Sequence, residues 1–323
     1  MQVCLNDVEA RIWAEELADF LPSKIFDFHT HLWNEQHCGN CQDINTLRTE
    51  VSAAELRKIY AVLFPGREFS FSFLGTPLKN IDFEKHNDWL LKEAASDPLS
   101  RAFILTTPQM QPDYILKKGA DPRCAGLKPY LIYADKGMDA AITDFLPENL
   151  LDAADHIGLS VMLHMSKNQG PAAPQNLQDL AYLTEKYQNI RWILAHCARG
   201  FNSSLLEKGI DTLKKRPNLF FDNSAVSDMY SHYLLLKNMD RKKIFYGSDL
   251  LAPAYARGVY TPYGFGWGFY TGNPSSGCGG DAAFLTYEQL RAFRKAATLL
   301  KLNAQEIEDI FFNNAVNFFS VNS

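Results

Sequence analysis

The chain has 323 residues, 46% hydrophobic and 21% charged, with a formal net charge of −5. That balance excludes a disordered or low-complexity chain, and the lack of a basic block or basic–aromatic stripe argues against nucleic acid as a partner. Its six cysteines (Cys4, Cys38, Cys41, Cys124, Cys197, Cys278) are too few and too scattered for a disulfide scaffold.

The first residues, MQVCLNDVEARIW, carry acids early and lack the basic start and apolar core of a signal peptide. No run approaches the ~18 apolar residues of a membrane span. A cytoplasmic protein with no membrane partner is the expectation. A helix is expected over about residues 5–20, followed by the apolar run KIFDFHTH as a first strand. Next comes HCGNC, where Cys38 and Cys41 form a C-x-x-C beside His37; with no second pair in sequence, these are expected to be surface-loop residues. Ser52, with Glu55 three residues on, signals a helix start in the manner of a capping box.

From there short apolar runs alternate with amphipathic helical patterns. FSFSFLG is the second strand, RAFILTT the third, CAGLKPYLIY the fourth and LSVMLHMS the fifth. NIRWILAHCARG, NLFFDNSA and KKIFYGSD are the sixth, seventh and eighth. Helical stretches follow each, several stopped by glycine as at Gly119. Continuous apolar strands of this kind belong to a parallel sheet covered by helices, and eight such units are the count of a closed (β/α)8 TIM barrel. Neither GxGxxG nor GxxxxGK[ST] occurs, which argues against a doubly wound nucleotide-binding sheet. The expectation is one domain over residues 1–323, with an N-terminal helix, a long insertion after strand 8 and a C-terminal helix.

Placed on these strands, the chemistry-bearing residues gather at strand ends. His29 and His31 end the first strand, His164 the fifth, His196 the sixth and Asp249 the eighth, while Lys128 lies within the fourth. Barrel active sites are assembled at those C-terminal ends, from several strands at once. A lone strand-end histidine is more often a satisfied rim residue, and an Asp after Gly-Ser more often a helix cap; the joint pattern carries the argument. Residues at spacing two on a strand share a face, so His29 and His31 form two arms of a chelate. His164 and Asp249 would complete a His, His, His, Asp metal site with room for water, a donor set that suits zinc and less exclusively manganese or iron(II). Asp27 shares the parity of His29 and is expected to point the same way, deeper, as an orienting carboxylate or a structural hydrogen-bonder.

The ordered set DFHTH, GLKPY, VMLHMS, ILAHCARG, FFDNSA and FYGSD resembles the amidohydrolase superfamily, in its amidohydrolase-2 branch of decarboxylases and lactone hydrolases. The resemblance runs from about residue 24 to residue 318. It implies one divalent ion held by His29, His31, His164 and Asp249. It implies Asp249 as the proton-transferring carboxylate, and His196 beside the activated water or the substrate oxygen. In two-metal branches the fourth-strand lysine is carbamylated; the GLK setting of Lys128 fits the one-metal branch better, which assigns it to substrate binding. Arg199 could clamp a carboxylate and Trp33 could line the pocket; Lys167, Asn168, Asn223 and Ser224 stand on the same rim.

The glycine- and aromatic-rich stretch 250–281 reads as a lid or as a contact between copies of the chain. The functions in contention are a metal-dependent hydrolase of a small-molecule lactone, ester or amide, and a non-oxidative decarboxylase or hydratase of a carboxylated substrate. Less favoured are a uronate-type isomerase and a binding protein on a retired barrel. An arginine facing the ion, Arg199 or Arg257, would favour the decarboxylase.

Overall fold

The computed structural model describes residues 3–39, 50–250, 256–271 and 282–320. Cys41, Cys278 and the parts of both insertions at 40–49, 251–255 and 272–281 lie outside the described residues. The sheet is built from β1 (Lys24–Asn34), β2 (Glu50–Val51), β3 (Glu68–Gly75), β4 (Arg101–Thr106), β5 (Cys124–Pro129), β6 (Ser160–Leu163), β7 (Trp192–Leu194), β8 (Leu219–Asp222) and β9 (Ile244–Phe245). Their spatial order is β2-β1-β3-β4-β5-β6-β7-β8-β9. All neighbours are parallel except β2, which runs antiparallel along the end of β1.

The sheet curls until its ends meet. Phe28 N–H donates to Tyr246 O (2.9 Å), His31 N–H to Leu250 O (3.0 Å), and Asp249 N–H back to His29 O (2.7 Å). Eight parallel strands therefore form the expected barrel, with helices between successive strands. The strands are apolar on both faces because both faces are covered. Outward residues such as Ile25, Phe73, Ile104, Val161, Trp192 and Leu194 pack with the helices in the main core. Inward residues Phe26, Phe28, Leu74, Phe103, Met162, Ile193 and Phe245 fill the floor of the barrel, which Phe318 and Phe319 of the last helix (Asn314–Ser320) plug from below. Phe28 stacks on Phe245 at 4.0 Å and on Phe319 at 5.3 Å between ring centroids.

Local signals account for the helix starts. The Ser52 side chain accepts from Glu55 N–H at the head of the helix Ala53–Leu63, and Asn6 and Glu9 form a capping box on Asp7–Ile12. Glu9 is fully buried and forms a two-pronged ion pair with Arg257 (2.7 and 2.8 Å), tying the N-terminal helix to the insertion after β9. Within that insertion the chain makes a hairpin of β10 (Val259–Tyr263) and β11 (Gly266–Tyr270), which the sequence reading did not anticipate. No helix among the described residues is long and apolar enough to cross a membrane.

One irregularity decides where the site lies. The pairing of β1 with β3 steps from Asp27–Phe71 to Thr30–Phe73, so β1 spends three residues where its partner spends two. This is a β-bulge, and it breaks the two-residue alternation. Below it Phe26 and Phe28 face inward; above it His29 and His31 do. Asp27 is thereby turned out of the barrel, which corrects the expectation that it points with His29. Its carboxylate accepts from Tyr60 O–H of the helix Ala53–Leu63, from Ser248 N–H (3.0 Å) and from His29 N–H (3.0 Å). Burial raises the Asp27 carboxyl to about 7 against the pull of those hydrogen bonds.

Phe28→Ala removes the ring around which the barrel floor is stacked and is expected to cost about 3–5 kcal/mol of stability. Equilibrium urea unfolding reads this directly; a loss below about 1 kcal/mol would show that the floor repacks without it.

Candidate active site

Above the aromatic floor, polar and ionisable side chains gather at the ends of six of the eight barrel strands. β1 contributes His29 and His31, β5 Lys128, and β8 Asp222; His164 follows β6, His196 follows β7, and Asp249 follows β9. His29 and Asp249 face each other with Nε2 to Oδ1 at 3.3 Å, and His31 Nε2 lies 3.2 Å from the same oxygen. Among the described residues, one ligand atom from each of His29, His196 and Asp249 lies within 4.8 Å of the others. His164 packs against His196 at 5.1 Å between ring centroids.

Each imidazole is held by its Nδ1. His29 Nδ1–H donates to Asp222 Oδ2 (2.8 Å), and His31 Nδ1–H to Gly75 O (3.0 Å). His164 Nδ1 is 3.2 Å from Met165 O, and His196 Nδ1 is 3.1 Å from Ser224 O. With Nδ1 as donor in each case, Nε2 carries the lone pair. A carboxylate or carbonyl behind the ring is the usual device for aiming a metal-ligating histidine. Burial also keeps the His29, His164 and His196 rings neutral. It pushes His29 down to about 3, with Lys128 adding to the effect and Asp222 opposing it. Burial also lowers His196, and it takes His164 well below the ordinary histidine range. For Asp249 burial works against ionisation, but the surrounding imidazoles of His196, His31 and His29 outweigh it, so the carboxyl sits well below the usual range. Neutral imidazoles around an ionised carboxylate are the donor set a divalent transition metal takes.

Asp222 was not singled out from the sequence. It is fully buried, and besides His29 it accepts from His196 N–H (2.9 Å), Ser224 N–H (3.0 Å) and Ser224 O–H. Ser224 Oγ in turn lies 2.9 Å from His196 Nδ1 and 3.2 Å from His29 Nδ1. The available signal was the Asp closing the apolar run LFFD at inward parity with Phe220. Gly247 makes room for this cluster, since a Cβ there would stand 2.7 Å from His29 Cβ.

The chain leaving β7 has an unusual path. His196, Cys197, Ala198 and Arg199 all have positive φ (59°, 51°, 58° and 62°), a left-handed turn closed by Gly200 N–H donating to His196 O (2.7 Å). Asp249 is also left-handed, with φ 59°. Each such non-glycine residue costs roughly 1–2 kcal/mol. Asp222, bonded to the first amide of the turn, helps hold it.

The remaining sequence candidates fall in different places. Lys128 is fully buried, its Nζ has no hydrogen-bond partner among the described residues, and it lies 5.1 Å from the centre of the Tyr130 ring. Burial lowers its ammonium to about 8, against the opposing charges of Asp222 and Asp249. Arg199 is buried, and its Nη1 donates to Lys167 O (2.7 Å), Met165 O (3.1 Å) and Met138 Sδ (3.0 Å), holding the loop that follows His164. Trp33, expected on the pocket wall, is folded into the main apolar cluster where β1 continues past His31 to pair with β2. Arg257 is engaged with Glu9, away from the histidines. Asn223 and Ser224 do belong to the site's surroundings, the former through Gly247 N–H donating to its Oδ1 (3.2 Å).

One wall of the site comes from the insertion. His196 stacks on Phe201 at 5.2 Å, which packs on Trp267 (4.5 Å) and Tyr260 (4.7 Å) of the hairpin. Asn202 Nδ2–H donates to Gly264 O (3.0 Å) and Gly266 O (2.7 Å), pinning the hairpin turn.

The amidohydrolase family model matches residues 26–321. An amidohydrolase of Burkholderia multivorans with bound zinc superposes with a TM-score of 0.62 at 11% identity, over 92% of this chain and 99% of its own. A probable 2-pyrone-4,6-dicarboxylic acid hydrolase of Acinetobacter baumannii gives a TM-score of 0.60 at 13% identity, over 92% and 99%. A 5-carboxyvanillate decarboxylase of Novosphingobium aromaticivorans, complexed with manganese, gives a TM-score of 0.56 at 12% identity, over 92% and 96%. At such identities these likenesses speak for the fold. No curated protein is a significant match to the chain.

Asp222→Asn keeps the size of the side chain but weakens the hold on His29 Nδ1 and on the left-handed turn. It is expected to lower divalent-metal affinity by about 10–100-fold. Competition with a chromophoric chelator measures this, and unchanged affinity would remove Asp222 from the site's support.

Proposed function

Because the chain belongs to the amidohydrolase family, we propose that it is a metal-dependent hydrolase acting on a small-molecule lactone, ester or amide. Members of this family are enzymes, and their structures include hydrolases and decarboxylases. The observation that carries the reading is the convergence of His29 and His31 Nε2 on the Asp249 carboxylate, each ring anchored from behind at Nδ1.

In this reading His29, His31, His164 and Asp249 hold one divalent ion, zinc first and manganese second. Bound there, such an ion supplies Lewis-acid chemistry, which activates water at neutral pH and polarises a carbonyl. Asp249, kept ionised by its neighbours, takes the proton of the attacking water and hands it to the leaving group. His196 is fixed by Ser224 and Phe201 and orients the water or the scissile carbonyl oxygen. The unpartnered Lys128 ammonium binds an anionic group on the substrate, since a buried cation without an acceptor is costly until a ligand provides one.

That same ammonium favours a second reading, a decarboxylase or hydratase whose substrate carboxylate docks on Lys128. Against it, Arg257 is paired with Glu9, and Arg199 commits its Nη1 to Met165 O and Lys167 O, its Nε having no hydrogen-bond partner among the described residues.

The two readings separate in one screen. Protein purified without chelator is analysed for metal, then offered lactones, esters, amides and aromatic carboxylic acids. Release of acid from the first three supports the hydrolase; release of carbon dioxide with no hydrolysis replaces it with the lyase. Asp249→Asn is expected to lower kcat by about 10²–10⁴-fold, and residual turnover near wild type would end the proton-transfer role. Lys128→Met should raise KM for an anionic substrate about tenfold or more while sparing neutral ones. The wild-type ammonium is charged below a pKa of about 8 and neutral above it, so KM for the anion should climb as pH rises through that value. A flat KM profile shared by wild type and variant would release Lys128 from substrate binding.

A further inference from the structure

His37, which precedes Cys38, had no partner in the sequence, and the fold brings it one. His37 lies in the short turn Glu35–His37 directly after β1, and His86 lies in the first turn of the helix Phe83–Ala94. Their Nδ1 atoms are 3.0 Å apart, with ring centroids 5.3 Å apart and planes at 74°. Both side chains are buried, at 6% and 0% exposure, and Trp89 packs against both rings at 5.2 and 5.5 Å. The two elements are already zipped together: Asp82 N–H donates to His37 O (2.7 Å), Gly39 N–H donates to Asn80 O (2.8 Å), and Cys38 pairs with Ile81.

From this geometry we infer that His37 and His86 bind a transition-metal ion of their own, distinct from the centre at the barrel mouth. Two nitrogens on a tetrahedral zinc with bonds of ~2.0–2.1 Å stand ~3.3 Å apart, within a few tenths of an ångström of the separation seen here. A metal ligand must present a lone pair, and burial favours that state by pulling both imidazoles below the ordinary histidine range, His86 to about 3. Without an ion, one ring donates its Nδ1–H to the Nδ1 lone pair of the other. With an ion, both Nδ1 atoms are ligands, and water completes the coordination; the Cys38 thiol is turned to Asn34 O.

The consequence is a clamp on the exit of β1. His86 stands behind Gly75, where its Nε2 would be 3.0 Å from a Cβ added to that glycine, and the Gly75 carbonyl is the acceptor that aims His31. An ion bridging His37 and His86 fixes the turn after His31 to the helix that backs this carbonyl. The role is structural: it positions β1 and makes no contact with substrate.

The test uses the full chain, stripped of metal and titrated with cobalt(II) alone, with stoichiometry from equilibrium dialysis and coordination from visible absorption. The expected result is that His37→Gln and His86→Gln each bind one equivalent fewer than wild type, and that wild type gains a set of ligand-field bands absent from both variants. Equal stoichiometry in wild type and either folded variant overturns the inference, leaving an ordinary histidine–histidine hydrogen bond. If His86→Gln does not fold, as judged by circular dichroism, His37→Gln and the wild-type spectrum decide. His29→Ala separates the two centres: it should abolish the equivalent at the barrel mouth and leave the one that His86→Gln removes. The failure of one reading is therefore visible independently of the other.

Discussion

The Asp222 carboxylate is the point on which the upper barrel depends. It is fully buried and ionised, and it reaches three different segments: the His29 ring on β1, the amide of His196 after β7, and Ser224 beyond β8. A buried carboxylate is tolerated only when its oxygens are fully engaged. Burial alone would raise its pKa, but the His29 ring and the hydrogen bonds that Asp222 accepts from His29, His196 N–H and Ser224 hold it far below the usual carboxylate range. The same bonds that keep Asp222 ionised fix the tautomer of His29 and the first residue of a left-handed turn. Stability and site geometry are here one network, so a change at any member is felt by the others.

Beneath that network the barrel is divided into two storeys of opposite chemistry. The floor is aromatic and sealed by Phe318 and Phe319; the storey above carries imidazoles, carboxylates and one ammonium. The β1 bulge is the device that joins them. It allows Phe28 to stack in the floor while His29, the next residue, enters the polar layer. The displaced Asp27 is put to use outside, where Tyr60 and Ser248 lock β1 against the segment leading to Asp249. Closing the barrel and placing Asp249 opposite the histidines are thus achieved by the same contacts.

The electrostatics of the polar storey are asymmetric. His29, His164 and His196 lose their charge to burial, Asp249 and Asp222 keep theirs, and Lys128 supplies a buried cation whose Nζ has no hydrogen-bond partner among the described residues. Negative charge at the centre of the mouth suits a metal cation; positive charge beside it suits an anionic ligand. The aromatic stack from His196 through Phe201 to Trp267 and Tyr260 lines one side and ties the hairpin to the strand ends.

The sequence by itself determined the barrel and the candidates His29, His31, His164, His196, Lys128 and Asp249. Those follow from strand periodicity and from chemistry-bearing residues at strand ends, both local properties of a chain. What it misjudged shares one cause: it required knowledge of register or of distant neighbours. Parity alone pointed Asp27 inward because an inserted residue is invisible until β1 is laid against β3. Asp222 looked like the end of an apolar run because two of its partners, His29 and the amide of His196, are supplied by segments far from it in sequence. Arg199 looked free to meet a substrate because the carbonyls of Met165 and Lys167 that take its Nη1 belong to the preceding strand's loop. The two histidines at 37 and 86 face each other only because the end of β1 is zipped to the residues just ahead of helix Phe83–Ala94. A periodic pattern specifies which face a residue occupies; only the closed barrel decides what stands opposite it, because opposition arises from register and closure rather than from spacing along the chain.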